Sequence, residues 1–141
     1  MTATSEATAV WKGSLFDGVG KVTLRSSGKG TFDVTWAARS EGSTSVTTPE
    51  ELLAAAHSSC FNMAFALALA ENGTPPESID TTASVTFTPG VGVTGSHLNV
   101  NAVVPGLGQE DFDRMAEDAK VNCPISQALK AIEITLEATL A

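Results

Sequence analysis

The stretch TPEELLAAAHSSCFNMAFALALAEN, residues 48–72, decides the fold of this chain. Thr48 is a good helix cap, Pro49 suits the first helical position, and two acids follow where the helix dipole favours negative charge. Gly73 is a common residue just beyond a helix end. The pattern predicts one helix over Pro49 to Asn72, about 36 Å long. No charged side chain occurs from Leu52 to Ala70, so we expect this helix to be buried on more than one face.

Strands are predicted on both sides of this helix. Before it, three β-prone runs suggest an antiparallel meander: Ala9–Lys12, Lys21–Ser26 and Thr31–Ala37. After it come a hairpin, two helices and a half-exposed strand: Ser78–Thr88 with Val93–Val104, Gln109–Val121, Cys123 to about Ala131, and Ile132–Glu137. The order predicts an α+β fold in which antiparallel sheets surround a long buried central helix. The length of 141 residues suits a single domain over residues 1–141.

Charge and composition exclude several classes of partner. The net charge of −8 and the pI near 4.5 oppose binding to DNA, RNA or anionic lipid surfaces. The first ten residues, MTATSEATAV, lack the basic and apolar regions of a secretory signal, and no run reaches the roughly 18 apolar residues of a membrane span. We therefore expect a cytoplasmic protein. Dinucleotide, P-loop and hydrolase-elbow motifs are absent from the sequence.

The chain has two cysteines, Cys60 and Cys123. In a reducing compartment a disulfide is usually transient and catalytic or redox-sensing, and two cysteines are too few for a four-cysteine zinc site. Cys60 lies in an Ala-rich helix, where a thiol is often a small buried apolar group. Cys123 precedes Pro124, and backbone amides at a helix start favour a thiolate. Local context leaves a redox couple and an inert pair both open.

Three other residues are candidates for chemistry. Arg39 follows a predicted strand and Glu50 lies in the first turn of the long helix, where a solvated cation and a dipole-stabilised acid are the ordinary interpretations. A reactive thiol, however, needs a nearby cation, and a forked guanidinium suits that task. His57 shares a helical face with Cys60, which suggests a Cys–His pair or a metal site. Since His97 is the only other histidine, we expect His57 to be a polar packing residue.

Two motifs carry a family resemblance. TPEELLAAAHSSCFNMA at 48–64, followed by NCPISQALK at 122–130, resembles the family of osmotically inducible protein C and organic hydroperoxide resistance protein (OsmC/Ohr). The resemblance implies an OsmC-like fold and an intertwined homodimer with two long central helices between sheets. It also implies a thiol-dependent peroxidase that reduces organic hydroperoxides to alcohols.

The resemblance assigns a role to each candidate. Cys60 corresponds to the peroxidatic cysteine, Cys123 to the resolving cysteine that forms a transient disulfide with it, and Glu50 to the active-site glutamate. The arginine of the OsmC branch, in an Arg-x-Glu-Gly segment, corresponds to Arg39, whereas the Ohr branch carries its arginine near the chain start, where only Lys21 is nearby. The resemblance implies no bound cofactor or metal, and an external dithiol reductant, for which a lipoyl-type dithiol is one candidate.

Helix geometry adds one expectation of its own. Ten residues separate Glu50 from Cys60, about 15 Å of axial rise, which is too far for contact within one straight helix. If both serve one site, an antiparallel copy of the helix must supply one of them, so we predict a site shared between subunits. Phe61, Met63 and Phe65 suggest apolar surroundings. A noncatalytic small-molecule-binding or redox-sensing dimer and a purely structural Cys60–Cys123 bridge are the alternatives.

Overall fold

A computed structural model describes all 141 residues and confirms the α+β class. The strands are β1 (Ala7–Lys12), β2 (Val19–Leu24), β3 (Thr31–Val34), β4 (Ser78–Thr88), β5 (Gly92–Val103) and β6 (Glu133–Leu140). The helices are α1 (Trp36–Glu41), α2 (Pro49–Glu71), α3 (Gln109–Asn122) and α4 (Pro124–Ala128). The chain divides into two compact units, Met1–Leu52 and Leu53–Ala141. The expectation of one domain over residues 1–141 stays a prediction.

The first unit contains the predicted antiparallel meander, in the order β1-β2-β3. The sheet leaves several apolar side chains exposed, among them Val10, Val19 and Phe32. The sequence predicted that β3 continues to Ala37, which is wrong, because the chain turns into helix α1 at Trp36. The cause is Thr35, whose Oγ1 accepts a hydrogen bond from the Ala38 N–H at 3.1 Å and so caps a new helix.

The second unit contains a mixed sheet in the order β4-β5-β6. β4 and β5 form the predicted antiparallel hairpin, and β6 is the predicted half-exposed strand. β6 pairs with β5 in parallel, whereas the sequence predicted antiparallel pairing only. The reason is the connection: α3 and α4 carry the chain back along the sheet, as a parallel pair requires.

Helix α2 has the predicted start and end. Thr48 Oγ1 accepts a hydrogen bond from the Glu51 N–H at 3.0 Å, which satisfies one of the unpaired amides at the helix start. At the other end Gly73 has φ +80°, and the N–H groups of Gly73 and Thr74 donate to the carbonyls of Ala70 and Leu69. This is a Schellman ending, which needs the left-handed conformation that glycine adopts readily.

One face of α2 is buried in the core of the second unit. Phe61, Phe65 and Leu69, spaced four residues apart, are fully buried and pack in one cluster with side chains of β5 and α3. On another face Met63 and Leu67 are 73% and 60% exposed. A single chain thus buries α2 on one side only, although the sequence predicted burial on more than one.

The apolar character of α2 corrects one sequence expectation. By length and composition α2 could cross a membrane, so the expectation that no run is long and apolar enough for a span is wrong. Ala, Cys and Phe residues raise the hydropathy of the helix to that level without forming an uninterrupted run of large apolar side chains. In this structure α2 is the core helix.

Candidate active site

The structure brings the two cysteines together. Cys60 is half-buried on α2, and Cys123 is fully buried at the junction of α3 and α4. Both are free thiols, and Cys123 lies near enough to Cys60 to raise the pKa of the Cys60 thiol. The two thiols are therefore neighbours in space, and no disulfide joins them.

Backbone contacts hold Cys123 on both sides. Its N–H donates to the Ala119 carbonyl at 2.9 Å, and its carbonyl accepts from the Gln127 N–H at 3.0 Å. It is the cap residue that the sequence predicted, with Pro124 opening α4, but its side chain makes no capping hydrogen bond. The Ile125 N–H donates instead to the sulfur of Cys60. The amide that we expected to favour a thiolate at Cys123 thus favours one at Cys60.

Burial and two neighbouring residues act on the pKa of the Cys60 thiol. Burial raises this pKa above its ordinary value, because removal from water disfavours the charged thiolate. The Ile125 N–H opposes this by hydrogen bonding to the sulfur, and the adjacent Cys123 thiol raises the pKa further. Within one chain these effects together raise the pKa of Cys60. The thiol therefore needs additional positive charge nearby to become a thiolate at neutral pH.

Arg39 and Glu50, the other two candidates, form an ion pair within the first unit. Arg39 lies in the last turn of α1, and its Nε and Nη2 atoms both donate to Glu50 Oε1, at 3.1 and 2.9 Å. Glu50 is buried and its Oε2 accepts no hydrogen bond within the chain. The two residues are thus a partly buried ion pair, and Glu50 also lies in the first turn of α2, where the helix dipole favours an acid. Lys21 pairs instead with Asp33, across β2 and β3, and both side chains are largely exposed.

His57 links three elements of the second unit. Its Nδ1 lies 2.7 Å from Ser96 Oγ on β5, and its Nε2 lies 2.8 Å from Ser126 Oγ on α4. All three side chains are buried, and burial lowers the pKa of His57, which favours the neutral ring. His57 is thus a satisfied packing residue, as predicted. His97 contacts Thr135 Oγ1 at 2.6 Å, and no three His, Cys, Asp or Glu side chains are grouped as metal ligands would be.

Sequence reasoning missed the residues that connect the candidates. Ser126 has a detectable pattern, because it follows Cys123 by three residues as Cys60 follows His57 by three. Ser96 and the Ile125 amide give no comparable indication in the sequence. Phe61 and Phe65 lie in the core with no exposure, so of the three apolar neighbours proposed around Cys60 only Met63 is open to solvent in a single chain.

Comparison with known sequences finds relatives that are all OsmC or organic hydroperoxide resistance proteins. Residues 42–137 match the family model described as OsmC-like protein. The chain is 41% identical over 140 residues to peroxiredoxin OsmC of Escherichia coli, covering 97% of this chain and 96% of that protein. It is also 36% identical over 95 residues to organic hydroperoxide resistance protein-like 1 of Staphylococcus saprophyticus, covering 64% of this chain and 67% of that protein.

Solved structures share the fold along the whole chain. An OsmC-like protein from Mycoplasma pneumoniae superposes with a TM-score of 0.75 at 13% identity, covering 100% of this chain and 99% of that one. An organic hydroperoxide resistance protein from Elizabethkingia anophelis superposes with a TM-score of 0.72 at 26% identity, covering 100% and 99%. The predicted fold is therefore confirmed by sequence and by structure.

Proposed function

This chain belongs to the OsmC-like protein family, and we propose that it is a cysteine-based peroxidase that reduces organic hydroperoxides to alcohols. The names of its relatives, peroxiredoxin and organic hydroperoxide resistance protein, support this class of reaction. The observation that carries the proposal is the contact between the free thiols of Cys60 and Cys123, with the Ile125 amide on the Cys60 sulfur. Two adjacent thiols of different exposure suit a peroxidatic and a resolving role.

In the first step the Cys60 thiolate attacks the terminal oxygen of ROOH. A sulfur–oxygen bond forms, the oxygen–oxygen bond breaks, and the alkoxide takes a proton and leaves as ROH. Cys60 is the nucleophile because it is the more exposed of the two thiols, whereas Cys123 is fully buried. The product is a sulfenic acid at Cys60.

In the second step Cys123 resolves this sulfenic acid. The sulfur of Cys123 attacks the sulfur of Cys60, the sulfur–oxygen bond breaks, and water leaves with the Cys123 proton. The contact between the two side chains supports a fast step, because little movement separates thiols from disulfide. An external dithiol, for which a lipoyl-type dithiol is one candidate, then reduces the disulfide by exchange, and no bound cofactor takes part.

The complete site requires two copies of the chain. Met63 and Leu67 form an exposed apolar stripe on α2, and a second α2 packed against it would give the helix the burial that its sequence predicts. Glu50 and Cys60 are ten residues apart on this helix, so an antiparallel partner brings the Glu50 of one chain toward the Cys60 of the other. The unpaired, buried Oε2 of Glu50 also calls for a donor from outside the chain.

Arg39 supplies the positive charge that Cys60 lacks in a single chain. Its guanidinium is held in direction by Glu50 through two N–H groups, and its permanent, delocalised positive charge suits the stabilisation of a thiolate and the polarisation of peroxide oxygens. An arginine next to a buried thiol lowers the pKa of the thiol, which offsets the effect of burial. Glu50 is the positioning residue of this arginine.

The cytoplasm is the compartment that suits this cycle, because a disulfide formed at each turnover must be reduced again. The test is consumption of tert-butyl and cumene hydroperoxide by the purified protein with dihydrolipoamide, thioredoxin and glutathione systems in parallel. We expect turnover with a dithiol system and none for Cys60→Ser. Undiminished activity of Cys60→Ser would contradict the proposal.

A further inference from the structure

The imidazole of His57 joins the two helices that carry the cysteines. His57 precedes Cys60 by three residues on α2, and Ser126, its partner on α4, follows Cys123 by three residues. The contact at 2.8 Å is fully enclosed, since both side chains are buried. It is thus a direct polar link from the helix of the peroxidatic thiol to the helix of the resolving thiol.

The link adds a buried polar contact to those that already hold α4, which are the packing of Ile125 against the core and a hydrogen bond from Gln127 Nε2 to the Val121 carbonyl. Helix α4 has five residues, and its cap residue Cys123 gives it no side-chain hydrogen bond. Isolated short helices are not stable in water, so tertiary contacts must fix the direction of this turn. Ser126 is its only buried residue, and the bond of Ser126 to His57 points toward α2.

The opposite ring nitrogen anchors the imidazole itself. Nδ1 lies 2.7 Å from Ser96 Oγ on the central strand β5, so the ring cannot turn without breaking a buried hydrogen bond. A neutral imidazole has one donor and one acceptor nitrogen, and each serine hydroxyl can donate or accept. Both contacts are therefore satisfied in either tautomer, and the ring is a rigid spacer between β5 and α4.

We propose that His57, acting through Ser126, is a positioning residue for the resolution step, which keeps the Cys123 sulfur aimed at the Cys60 sulfenic acid. The inference rests on the proposed peroxidase function. When the link is lost, disulfide formation slows while attack on the peroxide continues, and the sulfenic acid persists long enough for a second peroxide to oxidise it to sulfinic acid.

Two serine variants separate positioning from stability. Ser126→Ala and Ser96→Ala each remove one buried hydroxyl from the same imidazole, but only Ser126 belongs to the Cys123 helix. After one equivalent of cumene hydroperoxide, dimedone trapping measures the sulfenic acid and alkylation with mass spectrometry measures the disulfide. We expect Ser126→Ala to form the disulfide about tenfold more slowly, as loss of one hydrogen bond allows, and Ser96→Ala to stay within about twofold of the unmodified protein.

Two histidine variants supply an independent arm. A Gln amide reaches the position of Nε2 and an Asn amide that of Nδ1. His57→Gln should therefore keep the link to Ser126 and resolve within a few-fold of the unmodified protein, whereas His57→Asn should accumulate sulfenic and sulfinic acid as Ser126→Ala does.

Each outcome of these experiments decides a claim. Equal resolution rates for Ser126→Ala and Ser96→Ala, with equal rates for the two histidine variants, would overturn the positioning role and leave the peroxidase proposal intact. An unmodified protein that forms neither sulfenic acid nor disulfide would overturn both.

Discussion

The backbone N–H of Ile125 donates to the sulfur of Cys60, although the two residues belong to different helices, α4 and α2. The start of α4 therefore serves the cysteine of another element rather than its own cap residue, Cys123. This arrangement gives the two thiols different surroundings, because Cys60 receives the donor that stabilises negative charge and Cys123 is fully buried.

Loss of the resolving thiol should stop the cycle after one turnover. Cys123→Ser keeps Cys60 and its Ile125 donor, so hydroperoxide still converts Cys60 to a sulfenic acid, which then has no thiol partner within the chain. With excess cumene hydroperoxide we expect sulfinic acid at Cys60, detected by mass spectrometry of the intact protein. Continued multiple turnover of this variant with a dithiol would show that Cys123 is dispensable.

Removal of the Arg39 charge should raise the pKa of Cys60. Burial already raises it within one chain, and the proposed role of the guanidinium is to oppose that effect. For Arg39→Gln we expect the midpoint of the iodoacetamide alkylation rate against pH to shift upward by about one unit or more. Lys21→Gln is the matched control, because it also removes one positive charge but from the exposed pair with Asp33. Equal midpoints for the two variants would exclude Arg39 from the thiol site.

A charge on the exposed stripe of α2 should dissociate the dimer. Met63→Glu places a carboxylate where we expect two α2 helices to pack, and burying an unpaired charge there costs several kcal/mol. Analytical ultracentrifugation should find a dimer for the unmodified protein and a monomer for Met63→Glu. Val91→Glu, at an equally exposed apolar position in the β4–β5 turn, should stay dimeric. A dimeric Met63→Glu would place the interface elsewhere.

Acid should destabilise the fold through His57. Its pKa is lowered by burial in the folded chain, while the unfolded chain binds the proton at about pH 6.5. The unfolded state then binds more protons below this pH, so the free energy of unfolding falls as pH falls, by at most about 1.4 kcal/mol per unit for one group. Urea unfolding should be measured between about pH 7.5 and 5.5 at one protein concentration. The free energy of unfolding should fall more steeply with falling pH for the unmodified protein than for His57→Gln. Parallel slopes would contradict a buried neutral imidazole.

Helix α2 and strand β6 could be predicted because the residues that determine them are close together in the sequence. Thr48 and Gly73 define the ends of α2 by hydrogen bonds within a few residues, and alternating burial along β6 follows directly from the sequence. Helix α1 was missed because a single capping threonine, Thr35, overrides the β-prone residues around it. The parallel pairing of β6 was missed because it depends on the path of α3 and α4.

The candidate site was predictable in its members but not in its contacts. The resemblance selected Cys60, Cys123, Arg39 and Glu50, whereas local context favoured ordinary roles for the last two. Their pairing depends on α1, which the sequence did not reveal. The link from His57 to Ser126 joins distant parts of the chain, and its one trace in the sequence is the three-residue spacing of Ser126 from Cys123.

Complementation between two inactive variants tests the central claim, a Cys60 site completed by the partner subunit, most directly. Cys60→Ser and Arg39→Gln homodimers should each be inactive or nearly so. If the site is shared, a mixed dimer holds one intact site, built from the Cys60 of one chain and the Arg39 of the other, so random re-pairing of equal amounts should restore about a quarter of the unmodified activity. Activity no greater than that of the two separate variants would show that Arg39 and Cys60 do not act across the interface.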